Sequence, residues 1–153
     1  LDSTASIPEV VSTPTLLFRV GEDLYGSQVA QAQEVIPLRR MTRIPGAPSF
    51  VRGLINMRGT IITVLDLAVR LDQARPPSED GSILLVRHRG GDRVVGIVVD
   101  EVLDVRALSI DEGDSDRSIS GARSAITRGV AMLDDAAVVV LDLDVLISQV
   151  LHS

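Results

Sequence analysis

The chain contains no cysteine, no lysine and no tryptophan, and its only aromatic residues are Phe18, Tyr25 and Phe50. Without cysteine there is neither a disulfide framework nor a thiolate metal site, which fits a reducing cytoplasm. Without lysine, no Gly-rich loop followed by Lys and Ser/Thr is available to cradle phosphate. Three aromatics are too few for a base-stacking platform, and a formal net charge of −6 opposes a phosphate backbone. No nucleic acid partner is therefore expected. The longest apolar run, Ala136 to Leu141, has the length of a strand and falls well short of the ~20 residues a membrane helix needs. No direct membrane insertion is expected either. A signal-peptide pattern is also missing, although the chain opens on Leu1 without Met, which leaves a fragment of a longer protein open.

What is abundant is Val, Ile and Leu, within a 45% hydrophobic composition. A core built from β-branched and aliphatic residues favours strands. Those strands repeat. Residues 52–67 laid on residues 128–143, a shift of 76 positions, match without a gap. Arg52/Arg128, Gly53/Gly129, Val64/Val140, Leu65/Leu141, Asp66/Asp142 and Leu67/Leu143 are identical pairs. Further upstream, Gly26/Gly96, Val29/Val99, Val35/Val105 and Leu38/Leu108 coincide at a shift of 70. The repeat predicts two similar all-β lobes, each a small antiparallel barrel whose closure removes exposed strand edges. Residues 1–14, rich in Ser, Thr and Pro, read as a flexible tail. The domain then spans 15–151, with lobe 1 over about 15–73, a linker over 74–81 and lobe 2 over about 82–151, exchange of strands between lobes being left open. A helical turn around Phe50-Val51, capped by Ser49, and a longer helix through about Leu151 complete the pattern.

Gly59 is placed to supply the positive φ of a tight turn between two strands, and Gly53 and Gly59 read as structural turn residues. Asp66 and Asp142 stand where a strand pattern gives way to a helical one, so both read as N-caps rather than catalysts. The two histidines, His88 and His152, have no partner at metal-ligand spacing and are expected at the solvent. Asp111 to Asp116 lacks the terminal Glu and full spacing of a calcium loop. No nucleophile elbow occurs. No catalytic residue, cofactor or metal is therefore assigned. Arg39, Arg40, Arg43, Arg52 and Arg58 crowd into twenty positions, while acids dominate Asp100 to Asp116. Such a polarised surface would be either a solvated face or a face that selects a protein partner. Function is sought where the copies differ: Asn56 and Arg58-Gly59 in the first become Met132 and Asp134-Asp135 in the second.

The run Ile44-Pro45-Gly46-Ala47-Pro48-Ser49-Phe50-Val51-Arg52-Gly53-Leu54-Ile55-Asn56-Met57-Arg58-Gly59 resembles the signature of the CheW-like domain family. Tyr25-Gly26 with Gln33-Glu34-Val35, the segment Arg93 to Val102, and Gly129 to Asp135 resemble its remaining motifs in the right order. The resemblance implies two intertwined five-stranded SH3-like β-barrels, a short C-terminal helix and a hydrophobic groove between the lobes. It implies a non-enzymatic cytoplasmic adaptor beneath receptor arrays at the inner face of the membrane. That adaptor would couple the cytoplasmic tips of chemoreceptors to the regulatory domain of the histidine kinase CheA. Glu34, Arg58, Ile83, Gly96 and Val98 match family positions tied to receptor contact or signalling. Two positions depart from the family pattern: Thr63 replaces a usual proline, and Ala32 a larger aliphatic residue. If buried, the second change would remove about 1–2 kcal/mol of apolar contact from the groove. Two further readings are a CheW-like domain belonging to a larger kinase or adaptor–receiver protein, and a ligand-binding or catalytic β-barrel.

Overall fold

The structure, a computed structural model, describes residues 12–71, 73, 79–88, 93–112 and 125–151, the last of these by its backbone alone. His152, most of the expected tail, positions 74–78 of the expected linker, and residues 89–92, where Gly90-Gly91-Asp92 is a turn signal in the sequence, lie outside the described residues. Among the described residues the elements follow in this order: β1 (Thr13–Val20), β2 (Asp23–Gln28), β3 (Ala32–Pro37), β4 (Val51–Met57), β5 (Thr60–Asp66), α1 (Leu67–Arg70), β6 (Ser82–Arg87), β7 (Val94–Val99), β8 (Glu101–Leu108), β9 (Thr127–Leu133), β10 (Ala136–Leu141) and α2 (Leu143–Leu151). β1 begins at Thr13, so the last two positions read as tail are strand. No helix forms around Phe50; a turn closed by Val51 N–H to Pro48 O leads straight into β4.

The strands form two five-stranded sheets, ordered β8-β1-β2-β10-β9 and β3-β6-β7-β5-β4. This is the expected all-β class. The two orders are one order written twice, because β1 to β5 of the first repeat correspond to β6 to β10 of the second. In each sheet the repeat glycine faces the repeat valine across the parallel pair: Gly26 opposite Val140, Gly96 opposite Val64.

The repeats and the sheets are out of phase by two strands. After β2 the chain leaves the first sheet through a 3-10 turn, Val29–Gln31, builds the second sheet from β3 to β7, and returns at Asp100. Residues 24–38, whose sequence by itself reads as one long strand or a bent pair, are thus split between sheets. The break at 74–81 falls inside the second sheet, which runs continuously from β3 to β7; it does not separate the two sheets.

Each sheet is closed by its own edges. Beyond β3 the chain carries on to Thr42, which exchanges two backbone hydrogen bonds with Leu54 of β4, 2.9 and 2.8 Å. Beyond β8, Asp111 does the same with Val130 of β9, 2.8 and 3.0 Å. Gly53 and Gly129 stand beside these bridges because nothing larger fits. A Cβ at Gly53 would lie 2.8 Å from Thr42 O, and one at Gly129 2.6 Å from Asp111 O.

Among the described residues there are three apolar cores. Each sheet encloses a small one: Ile36, Ile55, Ile62, Val64, Ile83, Leu85 and Val98 in one, and Leu17, Leu108, Ala131, Val138 and Val140 in the other. The third lies between the sheets and is larger than both, drawing on β1, β2, β5, β6, β7, β10 and both helices. Within it Phe18 stacks on Tyr25, centroids 6.4 Å apart. His88 is not a solvent-exposed residue: its Nε2 lies 2.9 Å from Ser148 Oγ and 3.9 Å from Asp144 Oδ1, tying the end of β6 to α2.

Leu65 is fully buried in the shared core, whereas Ile61 of the same strand is 61% exposed. Leu65→Ala is expected to lower the unfolding free energy by about 2–5 kcal/mol. Ile61→Ala is expected to lower it by about 0.5 kcal/mol or less, as read from urea titrations of both variants.

Candidate functional site

The β4–β5 hairpin turns on Arg58 and Gly59, at φ 53° and 87°. Two successive left-handed residues give the turn whose twist matches the flanking strands. Gly59 takes this conformation freely, but Arg58 has a Cβ to accommodate. Asn56 compensates, since its Oδ1 accepts the Gly59 N–H at 2.9 Å. The Arg58 side chain is thereby thrown off the tip of an edge strand, where 73% of it remains exposed.

It reaches the opposite edge of the same sheet. Arg58 Nη2 and Nη1 donate to Glu34 Oε2 and Oε1 on β3, at 2.9 and 3.3 Å. The fork-to-fork geometry fixes both planes. Hydrogen bonding to Glu34, then its charge, hold the Arg58 guanidinium above its ordinary proton affinity. The pair is a latch on the outside of a closed sheet, and most of the Arg58 side chain stays exposed.

The second copy has no such latch. Glu34 corresponds to Asp104 and Arg58 to Asp134, so both places carry acids. Asp134 retains the left-handed conformation, φ 55°, showing that the backbone turn is common while the cation is not.

The other residues expected at the groove do not share a surface with this latch. Ile83 and Val98 are buried in the core of the second sheet. Gly96 is interior as well, and a Cβ there would sit 2.9 Å from Ile83 Cγ2 and 3.1 Å from Val64 Cγ2. The alternation of β6 and β7 turns these three inward, where they pack against the core of the second sheet. Ala32 is partly buried against the core between the sheets. Thr63 pairs with Leu54 in the middle of β5.

Asp66 and Asp142 begin their helices. Asp66 Oδ1 accepts from Ala68 N–H at 3.0 Å, and its Oδ2 lies 3.5 Å from Arg52 Nη1. Asp142 Oδ1 accepts from the N–H groups of Asp144 and Val145, and from Gln31 Nε2. Gln31 Oε1 in turn accepts the Leu143 N–H at 3.3 Å. Gln31 thus joins the crossing between sheets to the C-terminal helix, a role that no periodicity in the sequence marks.

Among the described residues no group of three or more His, Cys, Asp or Glu side chains is arranged to hold a metal ion. No helix among them is long and apolar enough to cross a membrane. A concavity of about 630 Å³ opens where the chain between β3 and β4 passes over α1, with Arg39, Arg40, Arg43 and Arg52 on its walls. Four of the five arginines of the run visible in the sequence are thus gathered into one place, Arg58 standing apart.

Two sheets of identical strand order, exchanged strands and a one-sided latch describe a scaffold that presents surfaces. Comparison with known proteins decides which scaffold. The model of the CheW-like domain matches residues 14–151. The chain belongs to the CheW-like domain family. The chemotaxis protein CheW of Klebsiella aerogenes is 31% identical over 143 residues, covering 92% of this chain and 85% of the relative. That of Thermotoga maritima is 32% identical over 136 residues, covering 88% and 87%. The crystal structure of the scaffolding protein TtCheW from Thermoanaerobacter tengcongensis is similar with a TM-score of 0.75 at 30% identity, covering 86% of this chain and 89% of that one. This CheW-like chain is a chemotaxis-type signalling adaptor.

Because the pair with Glu34 raises the Arg58 proton affinity, its contribution is fully present below the unfolded value and is lost only above it. The difference in thermal midpoint between the wild type and Arg58→Gln is therefore expected to be small and constant between about pH 7 and pH 10. Thermal unfolding of both proteins across that range checks it.

Proposed function

We propose that this CheW-like chain couples the cytoplasmic tips of chemoreceptors to the regulatory domain of the histidine kinase CheA. It does so by binding two protein surfaces at once, without catalysis. It works in the cytoplasm, held at the inner face of the membrane through the receptors it binds. One observation carries the assignment of the receptor side: an exposed guanidinium fork, fixed by Glu34, stands on one lobe and is replaced by acid on the other. A preorganised arginine loses little freedom on meeting a carboxylate or a backbone carbonyl, so it gives orientation at low cost. The exposed Ile61 on the same hairpin offers apolar contact beside it. Ile83, Gly96 and Val98 act behind this surface by fixing the curvature of the sheet that carries it.

The test is a reconstituted array of receptor, kinase and this chain. Arg58→Ala is expected to keep the far-ultraviolet circular dichroism of the wild type and to lose receptor control of kinase activity. The exchange Glu34→Arg with Arg58→Glu rebuilds the latch with its charges reversed. Failure of this exchange to restore control would mark Arg58 as a direct contact. Unchanged control in Arg58→Ala would remove the latch from the receptor surface.

A further inference from the structure

We infer that the arginine-walled concavity between the β3–β4 connection and α1 is a second docking site, for an acidic peptide segment of a partner protein that carries aliphatic residues among its carboxylates. The site is separate from the Glu34–Arg58 latch and does not rest on the receptor reading.

Charge is the first ground. Arg52 is neutralised by Asp66, 3.5 Å away, and forms part of the frame. Arg39 leans on Met57, its Nη1 3.2 Å from Sδ, and among the described residues it has no acidic partner. Arg40 and Arg43 are exposed, and among the described residues neither makes a hydrogen bond or an ion pair. Three cations thus face one concavity in a chain whose net charge is −6.

The repeat is the second ground. Thr42 and Asp111 occupy the same place, each bridging its β-hairpin over a glycine. That alignment puts Arg43 opposite Glu112 and Arg40 opposite Ser109, while Arg52 falls opposite Arg128. In the second copy Glu112 lies 3.9 Å from Arg128, so the corresponding site answers its own charge. Of these two corresponding places, only the first presents arginines that no acid among the described residues answers. Closing the sheet does not need them, since the second copy closes without them.

The lining chooses between kinds of anion. Leu38, Met41, Val51 and Val69 contribute apolar wall, and Glu79 places a carboxylate at the concavity. A compact phosphate gains nothing from the apolar wall. Carboxylates spaced along a peptide can each meet a planar fork while aliphatic side chains between them cover the wall. Volume agrees, since about 630 Å³ accepts several side chains.

The test uses the whole purified chain and a fluorescein-labelled peptide with glutamates on both sides of a central Leu-Leu pair. Fluorescence anisotropy at low salt is expected to show saturable binding that weakens steeply with added sodium chloride. Arg40→Glu with Arg43→Glu is expected to weaken it at least about tenfold, and the milder Arg40→Gln with Arg43→Gln by several-fold. Arg58→Ala and Arg106→Glu are expected to bind as the wild type does, with circular dichroism confirming the fold of every variant. The inference is overturned if both double variants bind like the wild type, or if a peptide with Gln in place of Glu binds equally well. It is also overturned if inorganic pyrophosphate binds and the peptide does not, which would make the concavity a small-anion site.

Discussion

Each sheet of this protein is held shut by two backbone hydrogen bonds made across a glycine. Thr42 meets Leu54 over Gly53, and Asp111 meets Val130 over Gly129. Without them β3 and β4, and likewise β8 and β9, would be open edges rich in Val and Ile, which invite pairing with other chains. Closure also sets the curvature that encloses the two small cores, and it brings Glu34 within reach of Arg58. A residue with a side chain at either glycine would collide with a carbonyl that cannot retreat without breaking the bridge. The surface features of the protein therefore depend on an absence of atoms at two positions.

The core between the sheets does a different job. It contains 18 of the buried residues, against 7 and 5 in the barrels, so neither barrel is well supported without the other. The helices serve this shared core. Arg70 of α1 stands 5.6 Å from the Phe50 ring and also meets Gln149 of α2, while His88 ties β6 to the same helix. Apolar packing thus fixes the geometry between the two sheets, with polar clamps at the margin.

Much of this was legible in the sequence because a duplication states its own scaffold. Gly53/Gly129 and Asp66/Asp142 were recognisable as structural by recurrence, and the hairpin around Arg58-Gly59 by its glycine. Strand exchange was harder to see. A strand pattern records which residues face inward but not which sheet they enter, so residues 24–38 read as one long strand or a bent pair although the chain changes sheet at Val29–Gln31. Depth was hidden for a related reason. Ile83, Gly96 and Val98 were selected by family position, and position carries no depth. His88 went astray because its partners, Asp144 and Ser148, lie some sixty residues along the chain.

The two-strand offset between repeat and sheet also sets an order of assembly. The second sheet is continuous in the chain from β3 to β7, so all its strands have left the ribosome before β8 appears. The first sheet is divided: its β1–β2 hairpin is made first and its β8, β9 and β10 last. A two-stranded hairpin is marginal on its own, and synthesis proceeds at roughly 5–20 residues per second. The oldest strands of the chain must therefore wait several seconds for the youngest, with the finished second sheet as an apolar surface on which to rest. The shared core then acts during birth as well as in the folded state, as a template that keeps an unfinished sheet from finding the wrong neighbour.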